Sequence, residues 1–145
     1  MTSRQPTDTS DDLSRAFTLS PIPASVPEVR RWVRRILTLW QITHLRESAD
    51  LLVTELTTNA IRHARTGGAP VTVLLTHAAG TLRIEVRDRD TVTLPVRRAP
   101  DFEEETGRGL LIIEAYADRW SVQLTDSGKA VWCELDVLSP RETSR

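Results

Sequence analysis

VTVLLTHAAGTLRIEVRD, residues 71–88, holds two runs of alternating side chains, VTVLLT and TLRIEVRD, around a short HAAG segment. The pattern predicts a β-hairpin over 71–76 and 81–88, and a hairpin pairs its strands antiparallel. In the second run Leu82, Ile84, Val86 and Asp88 fall on one face, with Arg83, Glu85 and Arg87 on the other. The apolar face therefore ends in a carboxylate, which needs donors there. A ligand with an exocyclic amine could supply them, or the group could cap the next turn or pair with an arginine.

On the N-terminal side, RAFTLS (15–20) alternates enough for a short strand, and Pro21 and Pro23 break the chain after it. Ser25 and Glu28 stand at capping-box spacing, and Val29, Trp32, Val33, Ile36, Leu37 and Trp40 give an apolar helical face through residue 40. Ser48 is placed to cap a second helix running to about Arg65, ended by Gly67-Gly68. Its core face is Leu52, Val53, Leu56, Ala60 and Ala64, and its water face Thr54, Thr58, Arg62 and Arg65. Glu55, Asn59 and His63 form a polar stripe between those two faces, placed to look into a cleft.

Beyond the hairpin, residues 89–106 lack periodicity and are longer than a usual connection. GRGLLIIEAYAD then predicts a glycine-bounded helix, and RWSVQLT and AVWCELDV predict two strands joined at Asp-Ser-Gly-Lys. Two hairpins rule out an all-parallel sheet. The expected fold is α+β: a two-layer sandwich of an antiparallel or mixed sheet with helices on one face. Residues 1–14 and 139–145 read as disordered or flexible tails around one domain, 15–138.

Nineteen basic and 20 acidic residues leave a formal charge of -1, which offers no global attraction to nucleic acid or to an anionic membrane. Lys129 is the sole lysine, so side-chain contacts to phosphate fall mainly to arginine forks. The longest apolar run is well short of the roughly 20 residues that span a bilayer, and the N-terminus has no signal-peptide core, so a cytoplasmic protein is expected. Cys133, the only cysteine, sits in an apolar strand pattern and reads as a buried small residue. His44, His63 and His77 have no metal-ligand spacing.

Thr106-Gly107-Arg108-Gly109-Leu110 precedes a helix whose first N–H groups have no internal partner. Glycine there lets an anion approach those groups, or else gives a flexible start to the helix. The amide of Asn59 suits Mg2+, and Glu55, one turn earlier, could orient or deprotonate a nucleophile; a polar helix margin would look the same in isolation.

E-x-x-x-N-A-I-x-H on a helix, an aspartate closing a strand, a long irregular loop and G-x-G opening a helix occur in the order that resembles the ATP-binding fold of the GHKL superfamily. Over about residues 15–138 the chain is similar to anti-sigma-factor type serine/threonine protein kinases. The resemblance implies Glu55 as catalytic base and Asn59 as Mg2+ ligand. It places Asp88 against the adenine amino group, with Asp90 in the same box. Thr106, Gly107, Arg108, Gly109 and Leu110 would lie on the phosphate side, residues 89–106 would form the ATP lid, and Arg62 and His63 would face the triphosphate. Gly128-Lys129 with Trp132 resembles the fold's closing segment. The implied cofactors are ATP and Mg2+. The implied partners are a sigma factor and a small serine-bearing antagonist, with no direct nucleic acid or membrane contact and a homodimer as a compatible assembly. One departure is visible: the usual glycine-bearing pattern after the aspartate reads Asp88-Arg89-Asp90-Thr91-Val92. It leaves open a nucleotide-sensing binding module without kinase activity. His44-Leu45-Arg46-Glu47 is similar to a phospho-accepting histidine box but lacks the dimerising helical hairpin such a kinase requires.

Overall fold

The computed structural model describes residues 13–64, 68–89, 111–125 and 128–138. Strand β1, Leu13–Leu19, begins two residues before the expected domain start at 15. Helices α1, Ser25–Leu39, and α2, Arg46–Arg62, follow, with a 3-10 turn at Thr43–Leu45 between them. Next come β2, Val71–Ala78, and β3, Thr81–Asp88. A helical stretch over residues 111–116 leads into β4, Arg119–Thr125, and β5, Gly128–Asp136. The sheet order is β1-β2-β3-β5-β4 with every pairing antiparallel, so the expected α+β sandwich is what the chain forms.

The hairpin is tighter than HAAG suggested. His77 and Ala78 stay in the ladder, and only Ala79 and Gly80 make the turn, with φ of 52° and 75°. Two positive φ values define the type I′ geometry whose twist matches paired strands.

Both serine caps are corrected. The residue before α1 is Ala24, no side chain caps the helix, and Ser25 is buried in its first turn. The reason is local: Ser25 and Val26 N–H donate to the carbonyls of Ile22 and Pro23, at 2.9 and 3.1 Å, so a backbone turn meets amides a side chain would otherwise serve. Helix α2 starts at Arg46 because the 3-10 turn runs straight into it, which puts Ser48 inside the first turn. It ends at Arg62 with His63 as C-cap, short of Arg65.

Helix α1 stops at Leu39 in a Schellman turn. Ile42 N–H donates to Leu37 O at 3.0 Å and Gln41 N–H to Thr38 O at 3.1 Å, with Gln41 at φ 60°.

The core lies between the helices and one sheet face. Val29, Val33, Ile36 and Leu37 of α1, with Leu52, Val53, Leu56 and Ala60 of α2, cover Val71, Val73 and Leu75, Leu82, Ile84 and Val86, and Cys133 and Leu135. Alternation along β3 is kept to its end, where Asp88 is buried on that face. The other face carries charge. Arg83 reaches Glu85 and Glu134, each at 3.1 Å, and its guanidinium lies 4.1 Å from the Trp132 ring centroid. The outward Trp132 is thus covered by a neighbouring side chain. Among the described residues no helix is long and apolar enough to cross a membrane.

Candidate functional site

Helix α2 positions the first half of the site. Its apolar positions face β3, and the sequence leaves polar residues on the flank of that contact. Glu55 is half-buried, Asn59 is 5 % exposed, His63 is 8 % exposed and Arg62 faces solvent. The stripe is therefore more sheltered at Asn59 and His63 than a helix margin in water. His63 N–H donates to Asn59 O at 3.0 Å, so the helix end ties the two residues together.

Among the described residues the buried Asn59 amide nitrogen has no hydrogen-bond partner. An unsatisfied buried donor costs about 1–3 kcal/mol, so the position favours anything that offers it an acceptor. A phosphate oxygen would accept from Nδ2, and the amide oxygen is a hard donor of the kind Mg2+ takes. The residues present thus fit a metal-bound polyphosphate. Thr57, fully buried one turn after Val53, also has an unpartnered hydroxyl among the described residues; the sequence reading assigned it to no face.

The second half lies at the end of β3. Asp88 is 7 % exposed and pairs in register with Lys129 of β5. Directly opposed residues of an antiparallel pair point to one face, so carboxylate and ammonium meet there, with Nζ 3.7 Å from Oδ2. Gly128 makes the approach possible. A Cβ at that position would lie 1.9 Å from the Asp88 carbonyl oxygen, inside any allowed contact. Asp88 and Lys129 also border a pocket whose other walls are outward-facing, Thr72, Arg87 and Ala130 among them.

No α2 residue lines that pocket; α2 meets this part of the sheet by packing across β3, β2 and β5. Asp90, Thr106, Gly107, Arg108, Gly109 and Leu110 lie outside the described residues. In the sequence Lys129 belongs only to a closing turn; its approach to Asp88 depends on strand register, which no local pattern reveals.

Cys133 is fully buried, and that burial pushes its thiol well above the ordinary range, as a packing residue requires and a nucleophile does not. His44 donates through Nε2–H to the Val137 carbonyl at 2.7 Å, since a carbonyl can only accept. Among the described residues no group of three or more His, Cys, Asp or Glu is placed to hold a metal ion. A Mg2+ here would draw on one amide and on the phosphates themselves.

The histidine kinase-like ATPase domain family matches residues 19–135 of this chain, from the last residue of β1 to the end of the core in β5. An uncharacterized protein of Streptomyces coelicolor (strain ATCC BAA-471 / A3(2) / M145) is 38 % identical over 84 residues, covering 57 % of this chain and 79 % of the relative. The chain belongs to the histidine kinase-like ATPase domain family. Membership implies an ATP-binding domain with a regulatory role, of a kind that usually takes ATP with Mg2+.

Proposed function

We propose that the protein is an ATP- and Mg2+-dependent serine/threonine protein kinase of the anti-sigma-factor type. It would bind a sigma factor and phosphorylate a serine of a small antagonist protein. The observation that carries the reading is the buried, amide-unsatisfied Asn59 one helical turn after Glu55, on a helix packed against the strand that ends in Asp88. The family match and the order of the motifs support it.

In this reading Asp88 accepts from the exocyclic amine of the base. Asn59 holds the phosphate end through both atoms of its amide. Glu55, half-buried and therefore close to both protein and solvent, accepts the serine proton as the hydroxyl oxygen bonds to the terminal phosphorus, and the bond to the bridging β-phosphate oxygen breaks to release ADP. Arg62 and His63 at the helix end, and the backbone of Gly107, Arg108 and Gly109, are assigned to the phosphates by resemblance. Mg2+ would neutralise phosphate charge during transfer.

The test uses gamma-labelled ATP and candidate antagonist proteins with the wild type and Glu55→Gln. A positioned base contributes about 10² to 10⁴ in rate, so transfer should fall by that factor while ATP binding persists. An unchanged transfer rate in Glu55→Gln removes the assigned base. Co-purification with and without nucleotide identifies the sigma factor and antagonist and reports whether the kinase travels as a homodimer.

A second reading, a nucleotide-sensing module that holds a partner without phosphorylating it, is favoured by Arg89 directly after Asp88, where a bulky side chain limits backbone approach to a ligand. ATP binding with no labelled product would support it.

A further inference from the structure

We propose that the outer face of the sheet carries a second ligand site, a pocket at the C-terminal end of β3 that binds a phosphate monoester through Arg87, Arg89 and Thr72. It lies on the face opposite the helices, and it stands or falls independently of the nucleotide reading above.

Strand parity places the pocket. Asp88 and Lys129 turn their side chains toward the helices, so Arg87 and Ala130, one residue away, turn outward as a directly opposed pair. Thr72 of β2 faces Arg87 from the other side in the same row. Ala130 is the low point of that row, because its side chain is a single methyl group between Arg87 and Gln123 of β4. Thr72, Arg87, Arg89, Thr125 and Ala130 line a cavity of about 280 Å3 there. One water takes a share of roughly 30 Å3, so a phosphate group fits together with part of whatever carries it.

The charge at this end of the face is positive. The outward acid before Arg87 is Glu85, and it is shared: Oε1 meets the Arg83 guanidinium at 3.1 Å and Oε2 meets Arg87 Nε at 2.5 Å. Arg87 commits only Nε to that bond, which leaves both its Nη groups without a hydrogen bond among the described residues, on a side chain 58 % exposed. Arg89, lining the same cavity, has no ion pair or hydrogen bond among the described residues. The Asp88 carboxylate does not offset these charges, since it points to the other face, toward Lys129. Glu134 and Asp136 lie further along β5, where Arg119 reaches both.

The donors select the ligand. A carboxylate is satisfied by one guanidinium fork in one plane. Here two guanidiniums come from residues two apart on the chain, with no more than about 7 Å between their Cα atoms. A third donor is the Thr72 hydroxyl across from Arg87, which has no hydrogen-bond partner among the described residues. Thr125 adds none, because its hydroxyl donates to the Gly128 carbonyl at 3.0 Å. A tetrahedral group with three terminal oxygens accepts from several directions at once, and its charge of nearly two matches the two guanidiniums.

The experiment records 1H–15N NMR spectra of the full chain at constant ionic strength and about pH 7.5, where phosphates are dianionic. The probes are inorganic phosphate and a capped Ala-phosphoserine-Ala tripeptide, each with and without saturating ATP and Mg2+. Both should give saturable shifts centred on the amides of Thr72, Arg87, Arg89 and Ala130, with a midpoint that ATP leaves unchanged. Arg89→Gln and Arg87→Gln should each raise that midpoint about tenfold, the size of a lost hydrogen bond between charged groups. Arg89→Gln is the stricter variant, since that side chain holds nothing else among the described residues. A tripeptide midpoint at or below that of inorganic phosphate assigns the site to a phosphorylated side chain; a higher one assigns it to a small free phosphate. Shifts that fail to saturate, that centre on Asn59 and His63 and vanish with ATP, or that keep their midpoint in Arg89→Gln overturn the proposal. If ATP itself shifts no amide, the nucleotide reading has failed, while the phosphate titrations still decide this site.

Discussion

Gly128 and Asp88 meet backbone to backbone, so closely that a single added methyl group on Gly128 would lie 1.9 Å from the Asp88 carbonyl oxygen. Gly128→Ala must therefore part the ends of β3 and β5. The expected cost is about 1–3 kcal/mol, as for other overpacked positions, and is read as a lowered melting temperature. Nucleotide binding should weaken in the same variant because the Asp88–Lys129 spacing changes. A melting temperature equal to that of wild type would show that the strand ends separate freely.

Asn59→Leu should separate stability from binding. Removing a buried amide whose nitrogen has no partner, and filling its place with an apolar side chain of similar size, should stabilise the free protein by about 1 kcal/mol. The increase in melting temperature that ATP and Mg2+ give the wild type should vanish. A variant that is destabilised and still responds to ATP would contradict both halves.

Gln41 supplies a test of the local backbone. It occupies the left-handed position that closes α1, at φ 60°, where glycine is strain-free. Gln41→Gly should raise stability by about 0.5–1 kcal/mol in denaturant titration, with the slope unchanged. Loss of stability would mean that the Gln41 side chain contributes more than its backbone costs.

Cys133 should be silent to thiol reagents in the folded protein and react with one equivalent on unfolding. Burial raises the folded pKa above that of the unfolded chain. Its contribution to stability is complete below the unfolded value of about 8.5 and is lost as the pH climbs from there toward the folded value. Cys133→Val should flatten the decline of melting temperature above about pH 8.5. An equal decline in both proteins would assign it to other groups.

On the outer face, Arg83 joins Glu85, Glu134 and the Trp132 ring. Its side chain is 30 % exposed, so each ion pair is weakened by solvent, and Arg83→Met should cost only about 1 kcal/mol, falling in high salt. A larger cost that salt does not change would point to packing over Trp132 instead.

Much of this arrangement is legible in the sequence because it follows local periodicity. Alternation in TLRIEVRD places Asp88 on the core face, and helical spacing places Glu55, Asn59 and His63 on one flank of α2. The errors lie where backbone competes with side chain. Ser25 and Ser48 look like caps, but preceding turns start both helices without them. Ala79 does not advertise a left-handed turn, so the alternating pattern alone stops the strand short of His77 and Ala78. The approach of Lys129 to Asp88 is hidden in the sequence for a different reason: residues 41 positions apart become neighbours only through the β3–β5 register.

That register also sets a schedule. The strand order seats β5 beside β3, so helices α1 and α2 and the first hairpin, contained in residues up to 88, can assemble before their neighbour has been translated. Until then one flank of β3 lies open, with its peptide groups bare to solvent or to a chaperone. The carboxylate at its end has no lysine across from it until residue 129 leaves the ribosome. The Asp88–Lys129 pair is therefore made only once most of the chain has been translated.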